Sequence, residues 1–162
     1  MLRFFRYLKE KNIKRKTKDQ IRIYNNKWVK EYPNIAVFAF DDLGVKINIY
    51  GIHEKELLEG LKFYIFNKID SSNSVCIDVG ANIGNHSLYF SQFFNKVYSF
   101  EPHREIFELL KFNVRKNKNV NIFKFGLSNK NKEMKIGNDT DISCGAFYMR
   151  DDSDFKHKNI FD

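Results

Sequence analysis

At 162 residues the chain is long enough for one domain with an ordinary core, and its formal charge is +8 at pH 7. Residues 1–30 carry eleven Lys/Arg against Glu10 and Asp19, while residues 31–162 carry seventeen against eighteen Asp/Glu. The basicity therefore belongs to an N-terminal arm, which speaks against specific nucleic-acid binding across the body of the fold.

In chain order, "MLRFFRYLKEK" mixes Leu2, Phe4, Phe5, Tyr7 and Leu8 with Arg3, Arg6, Lys9 and Lys11. As a helix it could make weak peripheral contact with an anionic membrane; the blander reading is an arm that packs on its own domain or frays. From Asn34 the pattern alternates: Ile35, Val37 and Ala39, a turn at "DDLG" (41–44), then Val45, Ile47 and Ile49. That period predicts a β-hairpin. Leu57, Leu58, Leu61 and Ile65 fall at helical spacing and predict a helix over 54–67. "DSSNS" (70–74) breaks the chain, separating a lead-in of 31–72 from a module of 73–162.

Within that module the pattern predicts a strand at Val75–Val79, a helix over 85–94, a strand at Val97–Glu101, a helix over 103–117 and a strand at Asn121–Phe125. Alternation of this kind implies a parallel sheet in an α/β, Rossmann-like fold, with strand order 3-2-1. Cys76 and Cys144 have no metal-ligand spacing, and Cys76 sits in an apolar run as a buried thiol would. No carboxylate–histidine cluster suggests a metal. No stretch has the length of a membrane span and no signal peptide is visible, so the expected location is the cytoplasm.

Chemistry concentrates in "CIDVGANIGNH" (76–86). A glycine turn after a parallel strand brings backbone close to a ligand at the carboxyl end of the sheet. Gly80 and Gly84 suit that turn. Asn85 is placed to cap the following helix. The dinucleotide fingerprint G-x-G-x-x-G fails at Asn82 and Asn85, and Asp78 would set a carboxylate against a pyrophosphate. Glu101, at the end of the second strand, can accept hydrogen bonds from both hydroxyls of a ribose. A ribose with an ammonium-bearing tail and no phosphate describes S-adenosylmethionine. His53, His86, His103 and His157 are candidate bases by residue type only.

The stretches "CIDVGANIGNHSLYF" (76–90), "VYSFEPHREIFELLKFN" (97–113) and "VNIFKFGLSNKNKEM" (120–134) resemble the FkbM-type S-adenosylmethionine-dependent methyltransferases. The resemblance covers about residues 34–140. It implies a class I methyltransferase fold with Asp78, Gly80, Asn82, Gly84 and Asn85 at the methionine end of the cofactor. Glu101 would hold the ribose, and the segment reaching Leu127 and Ser128 would flank the adenine. It also implies O-methylation of a sugar, a polysaccharide or glycolipid unit, or a small molecule. With only Pro33 and Pro102 in the chain, the Pro-Pro loop of adenine amino-methyltransferases is absent.

The family's next strand carries a "K-I-D-x-E-G"-like stretch that has no counterpart here. The expectation is a sheet reduced to strands 3-2-1 with its later strands missing, leaving the first strand as an unpaired edge. Such a chain either catalyses in abbreviated form or is a non-catalytic remnant that binds cofactor or a partner, through dimerisation or a complementing chain. A nucleotide-dependent oxidoreductase is the remote third reading.

Overall fold

A computed structural model describes residues 2–28, 30–39, 41–130, 133, 135–138 and 147–150. The basic arm is one continuous helix, α1 (Leu2–Trp28). It has no Gly or Pro to interrupt it and is rich in straight-chain Lys and Arg, which lose little rotamer freedom in a helix. Its side chains from Arg3 to Ile23 are all exposed, and the helix meets the domain at α2 (Asp42–Tyr50). No helix among the described residues is long and apolar enough to cross a membrane.

The expected β-hairpin is not formed. Residues 34–38 form no regular element and pair with no strand, and 42–50 are helical, as α2 (Asp42–Tyr50). Three local causes override the period-two pattern. Asp42 lies in the first turn, where a carboxylate favours the helix dipole. Gly51 closes the helix in the left-handed region (φ 82°), donating its N–H to Ile47 O at 2.7 Å. Gly44 lies so close to the chain that a Cβ would stand 2.5 Å from Phe38 O, which lets α2 rest directly on residues 37–38. The ladder bonds that a hairpin partner would have supplied come from Asn113. Its Oδ1 accepts from Ala36 N at 2.8 Å, and its Nδ2 donates to Ala36 O at 3.0 Å and to Ile83 O at 2.7 Å.

The next helix, α3 (Lys55–Tyr64), buries Leu58 and is followed by short 3-10 turns at Phe66–Lys68 and Ser71–Asn73. Then come β1 (Val75–Val79), α4 (Asn85–Phe90), β2 (Lys96–Phe100), α5 (Arg104–Val114) and β3 (Val120–Phe123). The three strands are parallel with β2 central, the expected 3-2-1 order, and Asp78 pairs with Ser99 and Val79 with Phe100 in register. A second sheet, unforeseen in the sequence pattern, joins β4 (Lys135–Asn138) antiparallel to β5 (Phe147–Arg150) and does not extend the first. The remaining polar stretches, 139–146 and 151–162, lie outside the described residues, as does His157.

One face of the parallel sheet is packed. Val97, Ser99 and Asp78 point into it, and α4 and α5 lie against it. Phe66, Phe90, Phe93, Phe94 and Tyr89 close the layer at one end, while Leu88, Leu110 and Val114 close it beside Ala81. Ile83 and Ile106 join Ile47 of α2 and the Ile35–Phe38 segment, so the lead-in belongs to the same core. Each such side chain contributes about 1.5–3 kcal/mol on burial.

Candidate functional site

The site begins where β1 stops. Gly80 has φ +77°, and a Cβ built on it meets nothing within 4 Å, so open space lies above it. Asn82 also takes the left-handed region at φ 50°, which Asn tolerates better than most side chains. Gly84 has a different reason to be glycine. At φ +95° a Cβ would come 2.8 Å from Leu110 Cδ1, so the residue lets α4 approach α5 rather than exposing backbone to a ligand.

Glu101 ties the two strand-to-helix turns together. Its Oε2 accepts from Asn82 N at 2.9 Å and its Oε1 from His103 N at 2.8 Å. Burial pushes its pKa up, and the two amides hold it back down. Asp78, one strand over, is also buried; its Oδ2 accepts from Ser87 Oγ at 2.6 Å, and Ser87 Oγ lies 2.8 Å from Ser99 Oγ. Desolvation raises the Asp78 pKa, while the Ser87 hydroxyl and the His86 ring lower it. Both carboxylates are therefore buried beside the turn, where desolvation opposes their charge and the hydrogen bonds they accept support it. Cys76, half-buried on the same strand, has its thiol pushed up to about 11 by burial and then by Asp78, which leaves it inert at neutral pH.

Every backbone N–H from Gly80 to Gly84 already has a partner. Gly80 and Ala81 donate to Phe100 O, Asn82 to Glu101, Ile83 to Asn82 Oδ1, and Gly84 to Ala81 O. A pyrophosphate cradle needs such groups free. The turn is thus built for a ligand that does not ask for an amide nest, which removes the structural basis of the dinucleotide reading.

The expected cap at Asn85 is a correction. Gly84 takes the N-cap position, and Asn85 is the first residue of α4. Its side chain instead grips the lead-in, accepting from His53 N at 3.0 Å and donating to His53 O at 3.1 Å. This amide pair repeats the device used by Asn113 at Ala36, and the two asparagines hold the lead-in across the mouth of the turn.

The result is a cavity of about 410 Å³ between α2 and the turn. Gly80, Ala81, Asn82, Asn85 and His86 form one wall; Asp42, Leu43, Lys46, His53 and Glu54 form the other. Glu54 lies between two imidazoles, with Oε2 3.1 Å from His86 Nε2 and Oε1 3.8 Å from His53 Nε2. Desolvation lowers the His53 pKa, keeping that ring neutral at physiological pH. Lys46 Nζ pairs with Asp42 at 2.6 Å. His103 is spoken for elsewhere, since its Nδ1 accepts from Ile106 N at the start of α5. Among the described residues no group of three or more His, Cys, Asp or Glu is placed to hold a metal ion.

Of the residues singled out from sequence, Gly80, Asn82 and Asn85 line the cavity, and Glu101 and Asp78 lie beneath it. Gly84 packs, and Leu127 and Ser128 are exposed in the loop that follows β3. Sequence reasoning missed Glu54 and Lys46. The visible signal for Glu54 was an acid-base pair, "HE", two residues after Gly51; its backbone conformation leaves no mark in the sequence.

No family model matches this chain, and no curated protein matches it. Among solved structures it is similar to a precorrin-8w decarboxylase from Methanobacterium thermoautotrophicum (19% identity, TM-score 0.38), over 43% of this chain and 38% of that one. A SAM-dependent methyltransferase from Leishmania major matches at 19% identity and TM-score 0.41, over 62% of this chain and 39% of that one. Phosphoethanolamine N-methyltransferase 1 from Haemonchus contortus, in complex with phosphoethanolamine and S-adenosylhomocysteine, matches at 15% identity and TM-score 0.34, over 67% and 21%. The chain thus spans well under half the length of these structures.

Proposed function

We propose that the chain binds S-adenosylmethionine at the Gly80–Asn82 turn and is the cofactor-holding part of an FkbM-type O-methyltransferase, acting in the cytoplasm on a hydroxyl of a sugar, a glycan or glycolipid unit, or a small molecule. One observation carries the reading: a buried carboxylate, Glu101, spans two βα turns beside a cavity whose glycine wall offers open space and no free amide nest. A carboxylate has about four acceptor positions, and the amides of Asn82 and His103 engage two. The rest remain for ribose hydroxyls. Asp78 would act from below the turn as a buried negative charge facing the cationic end of the ligand, and Leu127 and Ser128 would flank the adenine.

Bound there, the cofactor supplies an activated methyl group on a sulfonium, and the protein's part is largely to orient it. Glu101 orients the ribose, the Gly80–Asn82 backbone shapes the wall, and the lead-in excludes water on the far side. His53 and His86 are the histidines that face the cavity, and a neutral imidazole there can accept the proton of an acceptor hydroxyl.

Calorimetry on the full chain tests the reading, with S-adenosylmethionine, S-adenosylhomocysteine and NAD against wild type and Glu101→Gln. Binding of the first two, weakened about tenfold or more in the variant by loss of a charged acceptor, is expected. Tighter binding of NAD would sink it.

A second reading has its own observation. Among the described residues β1 pairs on one side only, and Val75, Ile77 and Val79 are 50%, 62% and 60% exposed. A free strand edge with an apolar flank recruits another chain. On that reading the protein binds cofactor without catalysis until a second copy or a complementing chain docks. Methyl transfer from tritiated cofactor by the purified chain, run as a monodisperse monomer with glycan acceptors, would rule out this dependence.

A further inference from the structure

The lead-in holds a charge that the glycine turn does not explain. Glu54 adopts φ 56° and ψ 42°, a conformation that side chains other than Gly, Asn and Asp seldom take. It is kept there from both sides. The amide of Asn85 fixes the backbone of the preceding His53, and α3 begins at the next residue, with Leu58 N donating to Glu54 O at 3.0 Å. The carboxylate that this backbone presents lies in the same cavity as Gly80 and Asn82. Two of the chain's left-handed non-glycine residues, Glu54 and Asn82, thus stand on opposite walls of one space. Such strain concentrates where a group must be held for a ligand.

The charges of the cavity complete the case. Asp42 and Lys46 are close-paired at 2.6 Å and cancel. Glu54 has imidazoles beside it, at 3.1 Å (His86) and 3.8 Å (His53), and Lys46, the cation that also feels its charge, is already paired with Asp42. S-adenosylmethionine carries a sulfonium, an ammonium and a carboxylate, net +1. Its product, S-adenosylhomocysteine, has a neutral thioether and is net zero. An anionic wall distinguishes these two ligands and little else about them.

We propose that Glu54 is a selectivity residue of the cofactor site, favouring the sulfonium cofactor over its neutral product and so promoting product release. This rests on the reading of the site as an S-adenosylmethionine site. The carboxylate need not touch the sulfur, because Coulomb attraction across a partly desolvated cavity acts at several ångströms. The other ionisable groups facing this point are Asp42 and Lys46 from α2 and Asp78 from β1, and they leave the sign unchanged. The first two form a closed pair, and Asp78 is a further negative charge within reach of His86.

The test is calorimetry on the full chain at low salt and pH 8, with S-adenosylmethionine and S-adenosylhomocysteine each titrated into wild type, Glu54→Gln and Glu54→Gly. The glycine variant suits φ 56° and removes the carboxylate without backbone strain, so one variant remains informative if the other folds poorly. The expected result is that the ratio of the two dissociation constants moves about tenfold toward the product in both variants, as loss of one screened unit charge predicts. Equal weakening of both ligands would make Glu54 a structural wall and overturn the inference while leaving the cofactor reading intact. Failure of wild type to bind either ligand would overturn both.

Discussion

The two faces of the parallel sheet differ sharply. On the inner face Val97 and Ser99 are 0% exposed, Asp78 is buried, and helices cover the strands. On the outer face Ile77 is 62% and Val79 60% exposed, beside a row of aromatics in which Phe100 stacks on Phe123 at 4.9 Å and meets Phe125 at 5.4 Å. Both faces carry apolar side chains, as in parallel strands covered on two sides, although Asp78 and Ser99 interrupt the inner one. The contrast therefore teaches something about interactions outside this core. The strands are written for two covered faces, the described residues cover one, and the ligand turn is anchored entirely on the covered side.

That contrast can be broken hardest from the inner face. Leu110 is fully buried and touches both the Ala81 cluster and the Gly84 turn, so Leu110→Ala should cost about 2–5 kcal/mol in chemical denaturation. Gly84→Ala comes next, at about 1–3 kcal/mol, because it combines a left-handed backbone with a Cβ 2.8 Å from Leu110 Cδ1. In the Leu110→Ala background the steric part should shrink, leaving the conformational part and the milder 3.3 Å approach of Val114 Cγ1. A double-mutant cycle reads that coupling directly.

Asp78 sharpens the comparison through pH. Its folded pKa is raised above the unfolded value, so the stability associated with it is fully present below the unfolded pKa and is lost as pH rises through the folded one. Asp78→Asn, which still accepts from Ser87, should therefore be more stable than wild type at pH 7, and the gap should close near pH 4. Thermal melts across that range check it. The same variant should bind S-adenosylmethionine more weakly, an exchange of stability for function common at ligand sites. A wild type more stable than Asp78→Asn at pH 7 would mean that the Ser87 bond outweighs desolvation.

On the outer face the expected effect is smallest. Ile77→Lys replaces an exposed side chain and should change stability by no more than about 0.5 kcal/mol. Its effect should show in sedimentation instead, as reduced self-association of the full chain, since a charge at an open strand blunts it. Unchanged association would place any contact elsewhere, α1 being the obvious alternative. That helix carries ten Lys/Arg against two acids between residues 2 and 28, with Phe4 and Phe5 each 62% exposed. It should add salt-dependent partitioning onto vesicles containing anionic phosphatidylglycerol and none onto phosphatidylcholine alone.

Much of the central module was legible because its signals are local and periodic. The strands β1, β2 and β3 fell within a residue or two of their expected limits, and Ile106, Leu110 and Val114 marked the buried side of α5. The lead-in was misread because Val45, Ile47 and Ile49 satisfy a period of two by accident. Ile47 is buried, whereas Val45 and Ile49 are exposed, and the decisive facts were Gly51 past the helix end and Gly44 against Phe38. Asn85 was read as a cap because Asn before a helix usually is one. Its true partner is thirty-two residues earlier in the chain, which no local pattern reveals. Glu54 was invisible for the same reason, since a cavity wall contributed by a distant turn is a property of tertiary packing.

The central claim is that the ligand site lies at the Gly80–Asn82 turn, closed by the lead-in and latched by Glu101. Amide shift mapping of the 15N-labelled full chain tests it most directly, with S-adenosylhomocysteine and NAD as separate titrants. The account predicts that S-adenosylhomocysteine shifts the amides of Gly80–Asn82, His103 and His53–Glu54 in a saturable way and leaves Ile77 and Phe123 in place. Shifts confined to the outer face, or a saturable response at the turn to NAD alone, would contradict it.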